Sequence, residues 1–165
     1  MEKLCDKIDA LNERIGKLAA WFVLGMVFIT FLVVVLRYGF SFGRIALQES
    51  ITYLHAFVFM LAGAYTLKHN EHVRVDIFYQ QMSDKNKAKV DLFGTLFLLL
   101  PFAGFIVWIS FDYVSNSWKL LEGSREAGGL PFVYILKTLI PLMAGLLFLQ
   151  ALSLAGRAFI NLGKR

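Results

Sequence analysis

The side chains that could do chemistry in this chain are few. His69 and His72 stand three residues apart with Glu71 between them, a spacing that sets two imidazoles on one helical face, as a metal site requires. No third ligand stands in register with them, so a polar cluster at a boundary accounts for the trio more simply. Glu49 opens an apolar run, and carboxylates inside such runs often carry protons or cations. Its place at the end of the run, beside Gln48, favours a helix N-terminal carboxylate stabilised by the helix dipole. His55 lies deeper and could hold haem, but no second histidine within an apolar run completes a two-histidine site, so packing is the expected role. Cys5 is the one cysteine, which excludes an intrachain disulfide and a cysteine-built zinc site. No glycine-rich phosphate loop, nucleophile elbow or carboxylate pair is visible. The reading is therefore of a protein with no catalytic, substrate-binding or metal residues and no cofactor, and not of an enzyme.

The elements that position these residues follow from hydropathy. In 165 residues, 58% are hydrophobic and 16 are Phe, and the mean hydropathy is +0.61. That is more apolar surface than a soluble domain of this length can bury, so an integral membrane protein is expected. The net charge of +5 lies in short basic clusters between apolar runs, as topology signals do, which argues against nucleic acid as a partner and for membrane lipids. The sharpest break falls near Lys68. Apolar sequence ends there, and Lys68, His69, Glu71, His72, Arg74 and Asp76 follow, several of which cost about 2.5–3.5 kcal/mol each in a bilayer.

Four spans are predicted, at residues 18–36, 48–67, 92–111 and 132–154, each close to the roughly 20 residues that cross a bilayer. The first apolar run lacks a small-residue cleavage site and reads as an uncleaved anchor. Before it, Leu4, Ile8, Leu11, Ile15 and Leu18 recur at helical spacing over residues 1–17, an amphipathic helix that lies in the membrane interface or pairs with a partner helix. Gln48, Thr52 and His55 line one face of the second span and call for a protein neighbour. His72, Arg74 and Asp76 alternate with Val73, Val75 and Ile77, which suggests an extended entry turning into an interfacial helix, with docking or lipid head groups as its use. Ser83 and Asp84 are N-cap candidates, and Pro101 and Pro141 are kink sites in the third and fourth spans. Asp112 closes the third apolar run. Residues 113–131 are expected as a loop that contains Arg125 and a turn at Gly128, Gly129 and Pro131, and Lys137 lies near enough to the span end to snorkel.

Four spans put both termini and the 68–89 segment on one side of the membrane. That side carries 12 basic residues and the other carries five, Arg37, Arg44, Lys119, Arg125 and Lys137, so cytoplasmic termini are expected.

Certain segments carry a family likeness. Gln48-Glu49-Ser50-Ile51-Thr52-Tyr53-Leu54, Gly63-Ala64-Tyr65-Thr66-Leu67, Glu71-His72-Val73-Arg74-Val75-Asp76, and later Gly128-Gly129-Leu130-Pro131, Lys137 and Ile140-Pro141 together resemble the small, DctQ-like membrane subunit of tripartite ATP-independent periplasmic (TRAP) transporters. The likeness covers nearly the whole chain. It implies a heteromeric carrier in the bacterial inner membrane: a periplasmic substrate-binding protein captures an organic acid, and a large multispan permease subunit moves it inward by a sodium-driven elevator motion. The small subunit, on this resemblance, holds no substrate or ion site, steadies the scaffold of the large one and helps dock the binding protein. The alternative from the residues alone is a stand-alone four-span exporter coupled to protons through Glu49.

Overall fold

In hydrocarbon no water is present to satisfy peptide groups, so an apolar run that crosses must close its hydrogen bonds on itself as a helix. The computed structural model describes residues 2–72 and 79–163, and its regular elements are all helical. They are α1 (Glu2–Phe40), α2 (Ile45–Lys68), α3 (Asp84–Gly94), a π-turn (Thr95–Leu99), α4 (Leu100–Lys119) and α5 (Val133–Gly163). Among the described residues four helical stretches are long and apolar enough to cross a membrane: Glu2–Phe40, Ile45–Lys68, Lys85–Lys119 and Val133–Ile160. The third is α3, the π-turn and α4 end to end.

The main helix pairs are α1–α2, α4–α5, α2–α5 and α1–α5, which makes α5 the hub. Its contact face is built from small residues: Ala144, Ala151, Ser153 and Ala155 are buried, and they let neighbouring backbones come close. Ala19, Leu61, Ala64, Leu139 and Leu146 form the apolar core, flanked by Phe22, Phe57 and Met60. Between α1 and α2 the rings of Phe22 and Phe57 meet edge to face at 5.7 Å.

The amphipathic segment is no separate element, because α1 runs unbroken through it into the first span. Its sidedness runs against the usual rule. Cys5, Asn12 and Ala19, seven apart, are buried, whereas Leu4, Leu11 and Leu18, also seven apart, face outward. The small and polar stripe therefore binds the rest of the chain, and the leucine stripe is presented to the surroundings.

Two expectations about the third span are refined. Pro101 has no N–H for the carbonyl one turn earlier, and the strain is taken up by the π-turn just before it, where the Leu100 N–H bonds five residues back to Thr95 O. The helix also does not stop at Asp112. It continues to Lys119, because Val114 and Ser117 are buried and extend its packing, so the expected 113–131 loop is helical in its first part. Ser83 does occupy the N-cap position of α3, but through its backbone carbonyl, which accepts from Asn86 N and Lys87 N, without a side-chain cap bond.

Gly16 lies where α1 and α2 pack tightly. A Cβ there would sit 2.4 Å from ring carbons of Tyr65. Gly16→Val should lower stability by about 1–3 kcal/mol, the usual cost of overpacking. Gly25→Ala, whose nearest neighbour is Leu54 Cδ1 at 3.8 Å, should be tolerated. Thermal unfolding of the two variants in detergent separates them.

Candidate functional site: two polar clasps and an outward stripe

At one end of the helices the α4–α5 connection folds into a compact knot. Leu121, with φ 45°, turns the chain out of α4, and Gly128, with φ 80°, takes the left-handed conformation that glycine adopts freely. Ser124 N donates to Leu130 O at 2.9 Å and Gly129 N to Glu126 O at 3.0 Å, which closes the turn. Glu49 then reaches across from α2. One carboxylate oxygen accepts the Ser124 hydroxyl, and the other accepts Leu130 N at 2.6 Å. Gly129 has to be glycine, since a Cβ would lie 2.5 Å from Ser124 Oγ and 2.8 Å from Glu49 Oε1. The expected dipole role of Glu49 is corrected here: it lies past the first turn of α2, and its oxygens serve the loop instead.

The same knot takes a second tie from α5. Lys137 Nζ donates to Glu122 Oε2, which also accepts from Ser117 Oγ at 2.7 Å, and the ammonium stands 4.1 Å from the Tyr113 ring centroid. Trp118 Nε1 donates to Thr138 Oγ1 at 2.8 Å, and its ring packs edge to face on Tyr134. The bonds from Lys137 first and Ser117 second hold the Glu122 carboxyl below its ordinary range. Arg125 is exposed and adds to that shift through its charge, while the backbone of Gly123 packs against Pro131.

At the opposite end a second clasp joins α1 to α5. Asn12 Nδ2 donates to Gln150 Oε1 at 2.7 Å, Gln150 Nε2 to Asp9 Oδ1 at 3.0 Å, and Ser153 Oγ to the same oxygen at 2.8 Å. Arg157 pairs with Asp9 and, at 2.9 Å, with Asp6. Beside it Glu13 accepts from Lys68 Nζ at 2.7 Å and from His69 Nε2 at 3.0 Å, tying α1 to the end of α2. His72 instead donates from Nε2 to Gly63 O at 2.9 Å, so His69 and His72 serve different partners. Arg74 and Asp76, and nearly all of the segment expected to run from an extended entry into an interfacial helix, lie outside the described residues.

Gln48, Thr52 and His55 do share a face, and all three are exposed. His55 is not packed against another helix, as expected of it; its ring lies over Phe59 of its own helix, centroids 6.5 Å apart. Thus Glu49, Gly128, Gly129, Pro131 and Lys137 gather in one knot, Arg125 stands on its outside, and the Gln48 stripe points away from it.

Sequence reasoning missed the second clasp, although its signal was present. Cys5, Asp9 and Asn12 stand at offsets of zero, four and seven, and Gln150, Ser153 and Arg157 at zero, three and seven, each a single helical face. Ser117, Glu122 and Ser124 carried no such signal, because loop partners have no period.

The model of the family described as tripartite ATP-independent periplasmic transporters, DctQ component, matches residues 26–160. The chain belongs to the DctQ family. The match takes in all of α2, α4 and the knot and leaves out the α1 half of the second clasp, Asp6, Asp9, Asn12 and Glu13. No curated protein and no solved structure matches the chain. Membership makes this DctQ protein a transporter component, the small permease subunit, and the four apolar helices fit a multi-pass membrane protein.

The knot sets a pH dependence. A glutamate held below its ordinary value of 4.5 gives stability that is complete above that value and is lost as the pH falls through the lowered one. Acidification from pH 6 should therefore leave the melting temperature level until about pH 5, then lower it. Glu122→Gln should remove part of the slope. Glu49→Ala should leave the helices intact and speed proteolytic nicking between Ser124 and Leu130, read by mass spectrometry of limited digests.

Proposed function

We propose that this DctQ chain is the non-catalytic small subunit of a sodium-coupled importer of an organic acid, working in the bacterial inner membrane beside a large multispan permease subunit and a periplasmic binding protein. One observation carries the reading. The predicted spans contain two charged residues, Glu49 and Lys137, and both are committed to tying down the loop at one end of the helices. A carrier site needs groups near the middle of the bilayer that can bind and release an ion or solute. Groups spent on fixing a loop serve rigidity instead, which suits a subunit that steadies the scaffold of a moving partner.

The basic residues favour cytoplasmic termini, and on that orientation the knot of Ser117, Glu122, Ser124 and Leu130 faces the periplasm. Braced by Glu49 and Lys137, with Arg125 and Glu126 exposed, it is the surface this reading assigns to docking of the binding protein. The exporter reading requires Glu49 to exchange protons, and both of its oxygens are engaged.

Deleting the chain while the large subunit and binding protein are retained should abolish uptake of the transported acid by whole cells. Undiminished uptake would overturn the proposal. A reporter fused after Arg165 tests the orientation separately: a fluorescent protein should light up there, and alkaline phosphatase should stay inactive.

A further inference from the structure

The outward surfaces of the helices differ in one respect. Along the spans α1 presents Trp21, Leu24, Phe28 and Phe31, and α4 presents Phe102, Phe105, Trp108 and Ile109, all suited to lipid. The exposed Thr30 on α1 folds its hydroxyl back onto Met26 O at 2.7 Å and so hides it. Thr66 and Thr138 do the same within their helices. On α2 the outward face is Gln48, Thr52, His55 and Phe59, the last 71% exposed. Neither the side chains of Gln48 and Thr52 nor the His55 ring has a hydrogen-bond partner among the described residues, and Thr52 leaves its hydroxyl free of the preceding turn.

Depth makes this decisive. At a rise of about 1.5 Å per residue, His55 stands roughly 15 Å along α2 from Ile45, near the middle of an apolar layer about 30 Å thick. Lipid chains offer nothing to an imidazole there or to the Thr52 hydroxyl one turn nearer the rim, where Gln48 stands, so the cover must be protein that carries hydrogen-bonding groups at those depths. Resting on the proposed function, which supplies a large membrane subunit as neighbour, we propose that the α2 face of Gln48, Thr52, His55 and Phe59 is the seat for a transmembrane helix of that subunit. Phe59 is its aromatic anchor, and the three polar residues set its register. The lipid-suited faces of α1 and α4 are left to the bilayer.

The test is site-specific photo-cross-linking in membranes that contain the chain and its large subunit, with a benzoylphenylalanine at Thr52, Phe59, Phe28 or Trp108. Cross-links to the large subunit are expected at Thr52 and Phe59 and not at Phe28 or Trp108. In the same membranes Gln48→Leu, Thr52→Val and His55→Leu should each weaken co-purification of the large subunit about threefold, the loss of one average interhelical hydrogen bond. Cross-links confined to Phe28 or Trp108, a product containing two copies of this chain, or unchanged co-purification of all three variants would overturn the assignment while leaving the proposed function standing. If the unaltered chain fails to bring down the large subunit at all, the proposed function falls with it.

Discussion

A bilayer core cannot hydrogen-bond, and that constraint orders this structure. A polar side chain near the spans gains most where it can be tied to another. Where the partner is within reach, the structure spends it on tying helices together: Glu49 and Lys137 on the knot at one end, Asp9, Asn12, Gln150 and Ser153 on the α1–α5 clasp at the other. Between the ends the contacts are apolar and close, with Ala19, Ala64 and Ala144 fully buried. Measured hydrogen bonds between membrane helices average only about 0.6 kcal/mol, so the clasps act mainly by fixing register and rotation, and the small residues supply the packing.

Rotation matters because it decides what each helix shows to the outside. The α1–α5 clasp turns the Asp9 and Asn12 stripe inward and thereby turns Leu4, Leu11 and Leu18 outward. On α2, the packing of Leu61 and Ala64 into the core leaves Gln48, Thr52 and His55 outside. A subunit of a larger machine is expected to carry such an unfinished face, polar where a lone protein would be greasy.

The spans were legible because lipid imposes a length and a composition that Phe- and Leu-rich runs display directly. The turn at Gly128 and Gly129 was legible from glycine itself. The end of α4 was not: Asp112 closes an apolar run, but a helix stops where packing and capping stop, and Val114 and Ser117 carry both past it. The role of Glu49 was misread for a related reason. Position along the sequence gave its depth, while its partners, Ser124 and Leu130, come from a loop more than seventy residues away that no periodicity announces. The α1–α5 clasp was readable in principle from two polar faces, one on α1 and one on α5, whose complementarity appears only when the two are considered as a pair.

On the proposed function, committed polar groups and close packing serve as a wall, a body that shapes and steadies a neighbour without moving cargo. The most direct measurement is flux through the purified chain alone in sealed liposomes under imposed sodium and proton gradients, with labelled organic acids inside or out. The account predicts no flux above that of empty vesicles. Gradient-driven accumulation by this polypeptide unaided would contradict it.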